Sequence, residues 1–206
     1  SGFYTPLHYL GNNKLPNELE YAVQSGVGTI VLDHDYELEL LAAIAKEQQQ
    51  QVRVLLRVNP GIEAHTHEYI QTTNNDSKFG VSIFDERTLP FIQRIAETEY
   101  IHFAGLHCHI GSQVFEEESF MKEASEMLAY AKKVEETLEV SIEEVNLGGG
   151  FGVYYTKEDQ PFEIDAFLKR YIAHIEQTME TLELHPTIIS IEPGRSLINN
   201  SGSTLY

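Results

Sequence analysis

Residues 101–113 read IHFAGLHCHIGSQ, and the way this stretch ends decides the fold. Residues 101–109 form an apolar run of the kind that makes a buried strand, and histidine, glycine and serine residues gather at its C-terminal end. Parallel α/β folds carry their functional groups at that end of their strands. If the arrangement recurs along the chain, it predicts a parallel sheet with one functional edge.

The arrangement does recur. Other apolar, β-branched runs predict strands at 7–10, 28–33, 52–58, 143–147 and 187–191. Apolar residues with helical spacing predict long helices around 120–134 and 167–182, and shorter helices are expected at 16–25, 35–49 and 86–98. The βα order, repeated about six times, predicts an α/β fold with a parallel sheet, either a (β/α) barrel or a doubly wound sheet.

Clusters of glycine, proline and charged residues follow most of the predicted strands, whereas the connections that enter the strands are chemically plain. The clusters are GNNK at 11–14, Asp33, RVNP at 57–60, HCHIGSQ at 107–113, GGGFG at 148–152 and EPGR at 192–195. This asymmetry predicts a functional site on one edge of the sheet.

Composition limits the kinds of partner. The 206 residues are 42% hydrophobic, contain one cysteine and carry a net charge of −18. We expect a soluble, cytoplasmic protein with one domain over 1–206, without signal peptide or membrane span. The acidic balance predicts no nucleic-acid or membrane partner, so any anionic ligand must be held locally.

The glycine loop and EPGR together suggest the type of ligand. Three successive glycines let a phosphate approach the main chain, although GGG alone is more often a turn. The spacing fits neither G-x-G-x-x-G nor a nucleotide P-loop. EPGR alone would be an ordinary turn with an exposed ion pair. Phosphate-compatible loops beside an inward Glu192 suit a cofactor with a phosphate at one end and a basic atom at the other, such as pyridoxal 5'-phosphate.

Six ordered motifs then make a resemblance specific. GNNK, LLRVNPGIEAHTHEYIQT, DSKFG, GLHCHIGSQ, NLGGGFG and IEPGR resemble the diaminopimelate decarboxylases, which belong to the alanine-racemase-like, fold type III pyridoxal-phosphate decarboxylases. The ornithine and arginine decarboxylases are similar in fewer of these parts and remain the alternative. The resemblance implies a partial (β/α)8 TIM barrel and, for the parent enzyme, decarboxylation of meso-2,6-diaminopimelate to L-lysine and CO2. It also implies a small amino-acid substrate and a homodimer for the full-length enzyme.

The resemblance implies roles for individual residues. Glu192 matches the acid that faces the pyridine nitrogen, and His109 matches the imidazole that stacks on the cofactor ring. Arg195 is expected to bind a substrate carboxylate as well as the cofactor. The remaining residues implied to bind the cofactor are Arg57, Ser112, Gly148, Gly149, Gly150, Pro193 and Gly194. Lys78 resembles an interface residue, while His65, His67 and His107 receive no role.

One feature of the family is missing. The lysine that forms the Schiff base lies in a short strand upstream of the GNNK segment, and no such strand occurs here. We therefore expect the 206 residues to be the middle and end of the barrel, without the C-terminal β-domain, and to be inactive by themselves. Lys14 belongs to GNNK and is not expected to replace the anchor lysine.

Two interpretations that assign the protein to other functional classes remain open. His107 and His109 could bind a metal in a barrel hydrolase with Asp33 as a further ligand, although no metal is expected from the resemblance. The chain could also be a non-catalytic homologue that binds without reacting.

Overall fold

The computed structural model describes residues 7–62 and 79–202. Strands and helices alternate along the chain. In chain order they are β1 His8–Tyr9, α1 Pro16–Gln24, β2 Thr29–Leu32, α2 Asp35–Gln48, β3 Val52–Asn59, β4 Val81–Ser82, α3 Thr88–Glu97, β5 Ile101–His107, α4 Glu117–Leu138, β6 Glu144–Gly149, α5 Ile164–Leu182, β7 Ile188–Glu192 and α6 Gly194–Ile198, followed by a 3-10 turn at Asn199–Ser201.

The strands form one parallel sheet in the order β1-β2-β3-β5-β6-β7, and the short β4 pairs with the C-terminal end of β3. The six strands predicted from sequence are confirmed, as are the five helices. The short elements β4 and α6 and the 3-10 turn at 199–201 were not predicted, because none of them has enough residues to show a period. The predicted strand over 101–109 is two residues shorter, since β5 ends at His107.

The sheet is strongly curled. His8 of β1 and Glu144 of β6 are four strand positions apart, which in a flat sheet would separate their backbones by about 19 Å. Their side chains nevertheless meet, with His8 Nε2 and Glu144 Oε1 3.0 Å apart. The two strands must therefore curve toward each other around a common interior. This confirms the partial TIM barrel and excludes the open doubly wound sheet.

The curl gives the sheet two unequal faces. The outer face packs against the helices in a large apolar core, which includes Val54, Leu56, Leu106 and Leu147. On the inner face, the described residues form a small apolar cluster of Val31, Leu55 and Ala104, with Leu10 against it. Polar side chains occupy the inner face on both sides of that cluster. The interior is thus divided into a polar layer at each end of the strands and an apolar layer between them.

Several helix ends are fixed by local interactions. The Glu163 side chain accepts hydrogen bonds from the backbone N–H of Asp165 and of Ala166, and so caps the N-terminus of α5. Gln49, Glu139 and Glu183 adopt the left-handed conformation at the C-termini of α2, α4 and α5. None of the helices in the described ranges combines the length and the apolar character needed to cross a membrane.

Candidate active site at the C-terminal edge of the sheet

The predicted clusters meet at the C-terminal ends of the strands. Strand register aligns Arg57 of β3 with His107 of β5, and His107 with Asn146 of β6. Glu192, at the end of β7, joins this row through hydrogen bonds to His107 and Asn146. Four adjacent strands of the sheet therefore contribute one polar row on the inner face, which follows from parallel pairing in register.

Glu192 is held at both carboxylate oxygens. Asn146 Nδ2 donates to Oε1 at 3.0 Å, and His107 Nε2 lies 3.4 Å from Oε2. The Glu192 side chain is 30% exposed, so part of the carboxylate can still contact a ligand. Burial opposes ionisation, but these hydrogen bonds and the electrostatic effect of the two histidine rings together hold the pKa of Glu192 below its ordinary value. Glu192 is thus an oriented, ionised acid.

His109 lies just past β5, half-buried. Its Nδ1 accepts a hydrogen bond from the backbone N–H of Gly149 at 3.1 Å. Burial, together with the positive charge of Arg57, lowers the pKa of His109 to about 4. The ring is therefore neutral at physiological pH and carries its proton on Nε2. A neutral, flat and partly accessible imidazole suits stacking against an aromatic ligand.

The three glycines allow close approach of neighbouring backbone. A Cβ on Gly149 would overlap the carbonyl oxygen of Glu192, and one on Gly150 would overlap that of Gly111. Gly148 has φ +61, which favours glycine, and its N–H donates to Asn146 Oδ1 at 2.9 Å. The N–H groups of Gly148 and Gly149 are thus bound within the chain. These two glycines contribute room and loop shape, not free donors for a phosphate.

The loops after β5 and β6 are joined side by side. The Gln113 side-chain amide donates to the carbonyl of Val153 at 3.1 Å and accepts from its N–H at 2.9 Å. Backbone bonds between Val114 and Gly150, and between Gly152 and Val114, continue the contact. Sequence reasoning missed both Gln113 and Asn146. The available signals were a polar residue within the apolar run of β6 and the glutamine that ends GSQ.

Ser112 and EPGR lie at the same edge. Ser112 is partly exposed, and its hydroxyl has no hydrogen-bond partner within the described part of the chain, so it is available to a ligand. Pro193 precedes α6, so Gly194 and Arg195 begin a short helix where a simple turn was expected. Arg195 is exposed and donates to the Tyr155 hydroxyl at 2.6 Å, so its charge faces a neutral partner.

Arg57 and Lys14 have different surroundings. The Arg57 guanidinium is mostly buried, 3.9 Å from Asp33 and 4.8 Å from the centre of the Phe79 ring. Lys14 Nζ donates to the carbonyls of Gly11 and Val31, each at 2.6 Å, and forms an ion pair with Glu37. Lys14 is therefore a buried structural cation that joins the loop after β1 to β2 and α2.

Cys108 faces the helix layer and is fully buried. It is more than a small apolar residue, because its thiol donates to Glu123 Oε1 at 2.9 Å. Burial raises the pKa of Glu123 to about 8 and raises that of the Cys108 thiol as well. Both groups are thus largely uncharged at neutral pH.

His107 and His109 do not act as a ligand pair here. Each ring is bound to a different partner, and no group of three metal-binding side chains occurs within residues 7–62 and 79–202. A cavity of about 530 Å³ beside Gly80 is lined by none of the predicted site residues. The predictions for His65, His67 and Lys78 lie outside the described residues.

The arrangement fits a cofactor with an aromatic nitrogen and a phosphate. An ionised carboxylate at Glu192 can hold a proton on a ring nitrogen, and His109 offers a neutral plane beside it. Ser112 has a free hydroxyl, and the arginines at 57 and 195 provide positive charge in an otherwise acidic protein. Such a cofactor calls for an acid at its ring nitrogen, a flat group beside its ring, and a hydroxyl and positive charge near its phosphate.

Comparison with known proteins identifies the family. Residues 5–199 match the model described as "Pyridoxal-dependent decarboxylase, pyridoxal binding domain". The chain belongs to this family.

Similar proteins of the pyridoxal-dependent decarboxylase family share the fold over nearly all of the chain. A diaminopimelate decarboxylase of Bacillus methanolicus is 39% identical over 200 residues, which cover 97% of this chain and 46% of that protein. The crystal structure of diaminopimelate decarboxylase from M. jannaschii aligns with a TM-score of 0.79 at 31% identity, over 92% of this chain and 43% of that one. The enzyme from Helicobacter pylori, solved in complex with L-lysine, aligns with a TM-score of 0.77 at 28% identity, over 90% and 44%. The chain thus spans about half the length of the relatives it matches.

Proposed function

We propose that the protein to which this chain belongs is a pyridoxal-phosphate-dependent diaminopimelate decarboxylase, which converts meso-2,6-diaminopimelate to L-lysine and CO2. The observation that carries the proposal is the Glu192 carboxylate, ionised and held at both oxygens beside the neutral ring of His109. The names of the similar proteins supply the reaction. By the same resemblance, the full-length protein works as a cytoplasmic homodimer.

Each proposed cofactor ligand has its own task. When bound, pyridoxal phosphate supplies a protonated pyridine ring that withdraws electrons from the bond to the departing carboxylate. Glu192 would hold the proton on the ring nitrogen, and His109 would offer a flat neutral ring for stacking. Ser112, Pro193, Gly194 and the 148–150 loop would border the phosphate. Arg57 offsets the negative charge of Asp33, which directly follows β2 and lies 3.9 Å from the guanidinium.

Arg195 is proposed to bind a substrate carboxylate. Its guanidinium is exposed at the end of β7, and within the described ranges no carboxylate lies within ion-pair distance of it. The Tyr155 hydroxyl orients it without neutralising its charge. A planar cation of this kind can form two parallel hydrogen bonds with a carboxylate. Lys14 is not proposed as the covalent attachment point, since its amine is occupied by Gly11, Val31 and Glu37.

The test measures CO2 release by the full-length protein. The protein is supplied with pyridoxal phosphate and one of four substrates: meso-2,6-diaminopimelate, L-lysine, L-ornithine or L-arginine. We expect CO2 from diaminopimelate alone, with L-lysine as the product. Glu192→Gln should lower kcat about 100-fold or more, because the ring nitrogen loses its acidic partner.

Glu143→Gln is the control, since Glu143 bonds to His102 at the opposite end of β5 and should leave kcat near the parent value. CO2 from ornithine or arginine would assign the protein to the alternative class of decarboxylase. A protein that binds the cofactor and decarboxylates none of the four would contradict the proposal and favour a non-catalytic homologue.

A further inference from the structure

The proposed function gives no task to His107, the first histidine of LHCHIGSQ. It lies at the end of β5 with 0% exposure, between Arg57 on one neighbouring strand and Asn146 on the other. Histidine is a costly choice for a fully buried position unless its ring nitrogens find partners. The environment of the ring therefore indicates what the residue does.

The ring is neutral and has one hydrogen-bond partner. Burial lowers the pKa of His107, and the hydrogen bond to Glu192 only partly offsets this. Ionised Glu192 can only accept, so the single ring proton must lie on Nε2 and point at Oε2, 3.4 Å away. No partner for Nδ1 occurs within the described part of the chain. The donor function of His107 is thus directed entirely at Glu192.

Glu192 in turn depends on donors that do not belong to a ligand. Asn146 holds Oε1 and also accepts from Gly148 N–H, so it connects the acid to the glycine loop. His107 holds the other oxygen. With one donor on each oxygen, rotation of the carboxylate is restricted and its negative charge is stabilised. Without His107, Asn146 would be the only side-chain donor to Glu192 within the described residues.

We propose that His107 is a positioning residue, which fixes the orientation and the ionised form of the Glu192 carboxylate through a hydrogen bond from Nε2. The part of the proposal that concerns the cofactor nitrogen rests on the proposed function. The hydrogen bond itself does not, because it exists between residues of this chain. The 3.4 Å distance is long, and catalytic hydrogen bonds of this kind often shorten when the ligand binds.

A packing role and a positioning role make different demands on residue 107. Packing requires only volume, so an apolar side chain of similar size should serve. Positioning requires a donor at the place of Nε2. Glutamine can place its amide nitrogen there, whereas the shorter asparagine cannot. The pair His107→Gln and His107→Asn therefore separates the two roles, and His107→Leu tests volume without any donor.

The first experiment is a titration of Glu192 in the cofactor-free full-length protein. The carboxyl ¹³C signal of labelled glutamate is followed against pH, and Glu192→Gln identifies the signal by its loss. We expect His107→Asn and His107→Leu to raise the pKa of Glu192, and His107→Gln to leave it close to the parent value. His102→Gln is the matched control, since His102 lies on the same strand but bonds to Glu143.

Other charged or titratable groups around Glu192 are common to all of these variants. They are Arg57 from β3, Cys108 and His109 just past β5, and His8 from β1. Their contributions therefore cancel in the comparison. If His107→Asn and His107→Leu both titrate like the parent, the positioning role is wrong. If His107→Leu does not fold, the asparagine and glutamine variants still decide.

The second experiment uses the protein loaded with pyridoxal phosphate. His107→Asn should lower kcat about 10- to 100-fold with little change in KM, as expected for loss of a hydrogen bond to a charged group. His107→Gln should recover most of the rate. If no variant and no parent protein decarboxylates, the proposed function fails while the titration still tests the hydrogen bond. Equal rates for the glutamine and asparagine variants would contradict positioning.

Discussion

At the scale of single residues, the site depends on contacts between main chain and side chain. Gly149 shows this twice, because its N–H donates to His109 Nδ1 and its missing Cβ leaves room for the carbonyl of Glu192. One residue therefore touches both the proposed stacking ring and the proposed acid. Any side chain at position 149 must displace the end of β7, and with it the backbone of Glu192.

Gly149→Ala tests this contact. Because backbone has to move, we expect the free energy of unfolding to fall by about 1–3 kcal/mol, the usual cost of overpacking. Urea unfolding followed by circular dichroism measures the change. Gly202→Ala is the control, since a Cβ there meets nothing within 4 Å and φ is extended. An alanine at 149 as stable as the parent would show that β7 adapts freely.

At the scale of elements, the loop after β6 is anchored in the helix layer by Phe151. Its ring is 2% exposed and lies 4.8 Å from the ring of Phe120 on α4 and 5.6 Å from that of Phe167 on α5. The loop after β5 is joined to the same segment through Gln113 and Val114. The aromatic contact thus fixes both loops that carry proposed cofactor ligands.

Phe151→Ala should lower the free energy of unfolding by about 3–5 kcal/mol, because it leaves a cavity among closely packed aromatic rings. Chemical unfolding of the purified protein measures the loss. The matched control is Phe84→Ala, since Phe84 is 69% exposed and its removal should change stability little. Equal effects of the two substitutions would contradict an anchoring role for Phe151.

At the scale of the whole molecule, a polar layer closes the N-terminal end of the curled sheet. Glu144 accepts hydrogen bonds from His8, from Arg53 at 2.8 Å and from Ser190 at 2.6 Å, and Arg53 also donates to Thr29. Side chains from β1, β3 and β7 thus meet on one buried carboxylate of β6, and Arg53 connects this group to β2. Burial opposes ionisation of Glu144, but these donors lower its pKa to about 2. The layer joins the two sides of the curl.

This layer makes a defined part of the stability depend on pH. The hydrogen bond to Glu144, opposed by burial, raises the pKa of His8 above its ordinary value. The contribution of His8 is therefore complete below the unfolded pKa of histidine, about 6.5, and is lost as the pH rises through the higher folded value. The difference in free energy of unfolding between the parent and His8→Gln should be larger at pH 5.5 than at pH 9.

His185→Gln serves as the control for the pH experiment, because His185 is exposed and has no hydrogen-bond partner within the described residues. Its effect on the free energy of unfolding should be small at both pH values. A His8→Gln difference that stays constant from pH 5.5 to pH 9 would show that His8 does not bind Glu144 as a cation.

The sequence by itself determined the order of elements, the parallel sheet and the edge that carries the site. Apolar periods are local, so strands such as 52–59 and helices such as 164–182 were predicted to within a few residues. Clusters such as HCHIGSQ and EPGR also depend only on local order, since they follow the strands directly. The resemblance to diaminopimelate decarboxylases, and with it the family, was likewise available from residues alone.

Only the tertiary structure decided which side chains meet. Register aligns His107 with Asn146, and curling of the sheet carries His8 to Glu144, although these pairs are 39 and 136 residues apart. Such contacts depend on strand pairing and curvature, which no local pattern encodes. The symmetric pair of histidines in LHCHIGSQ was separated in the same way. Burial and neighbouring strands direct His107 to Glu192 and His109 to the glycine loop.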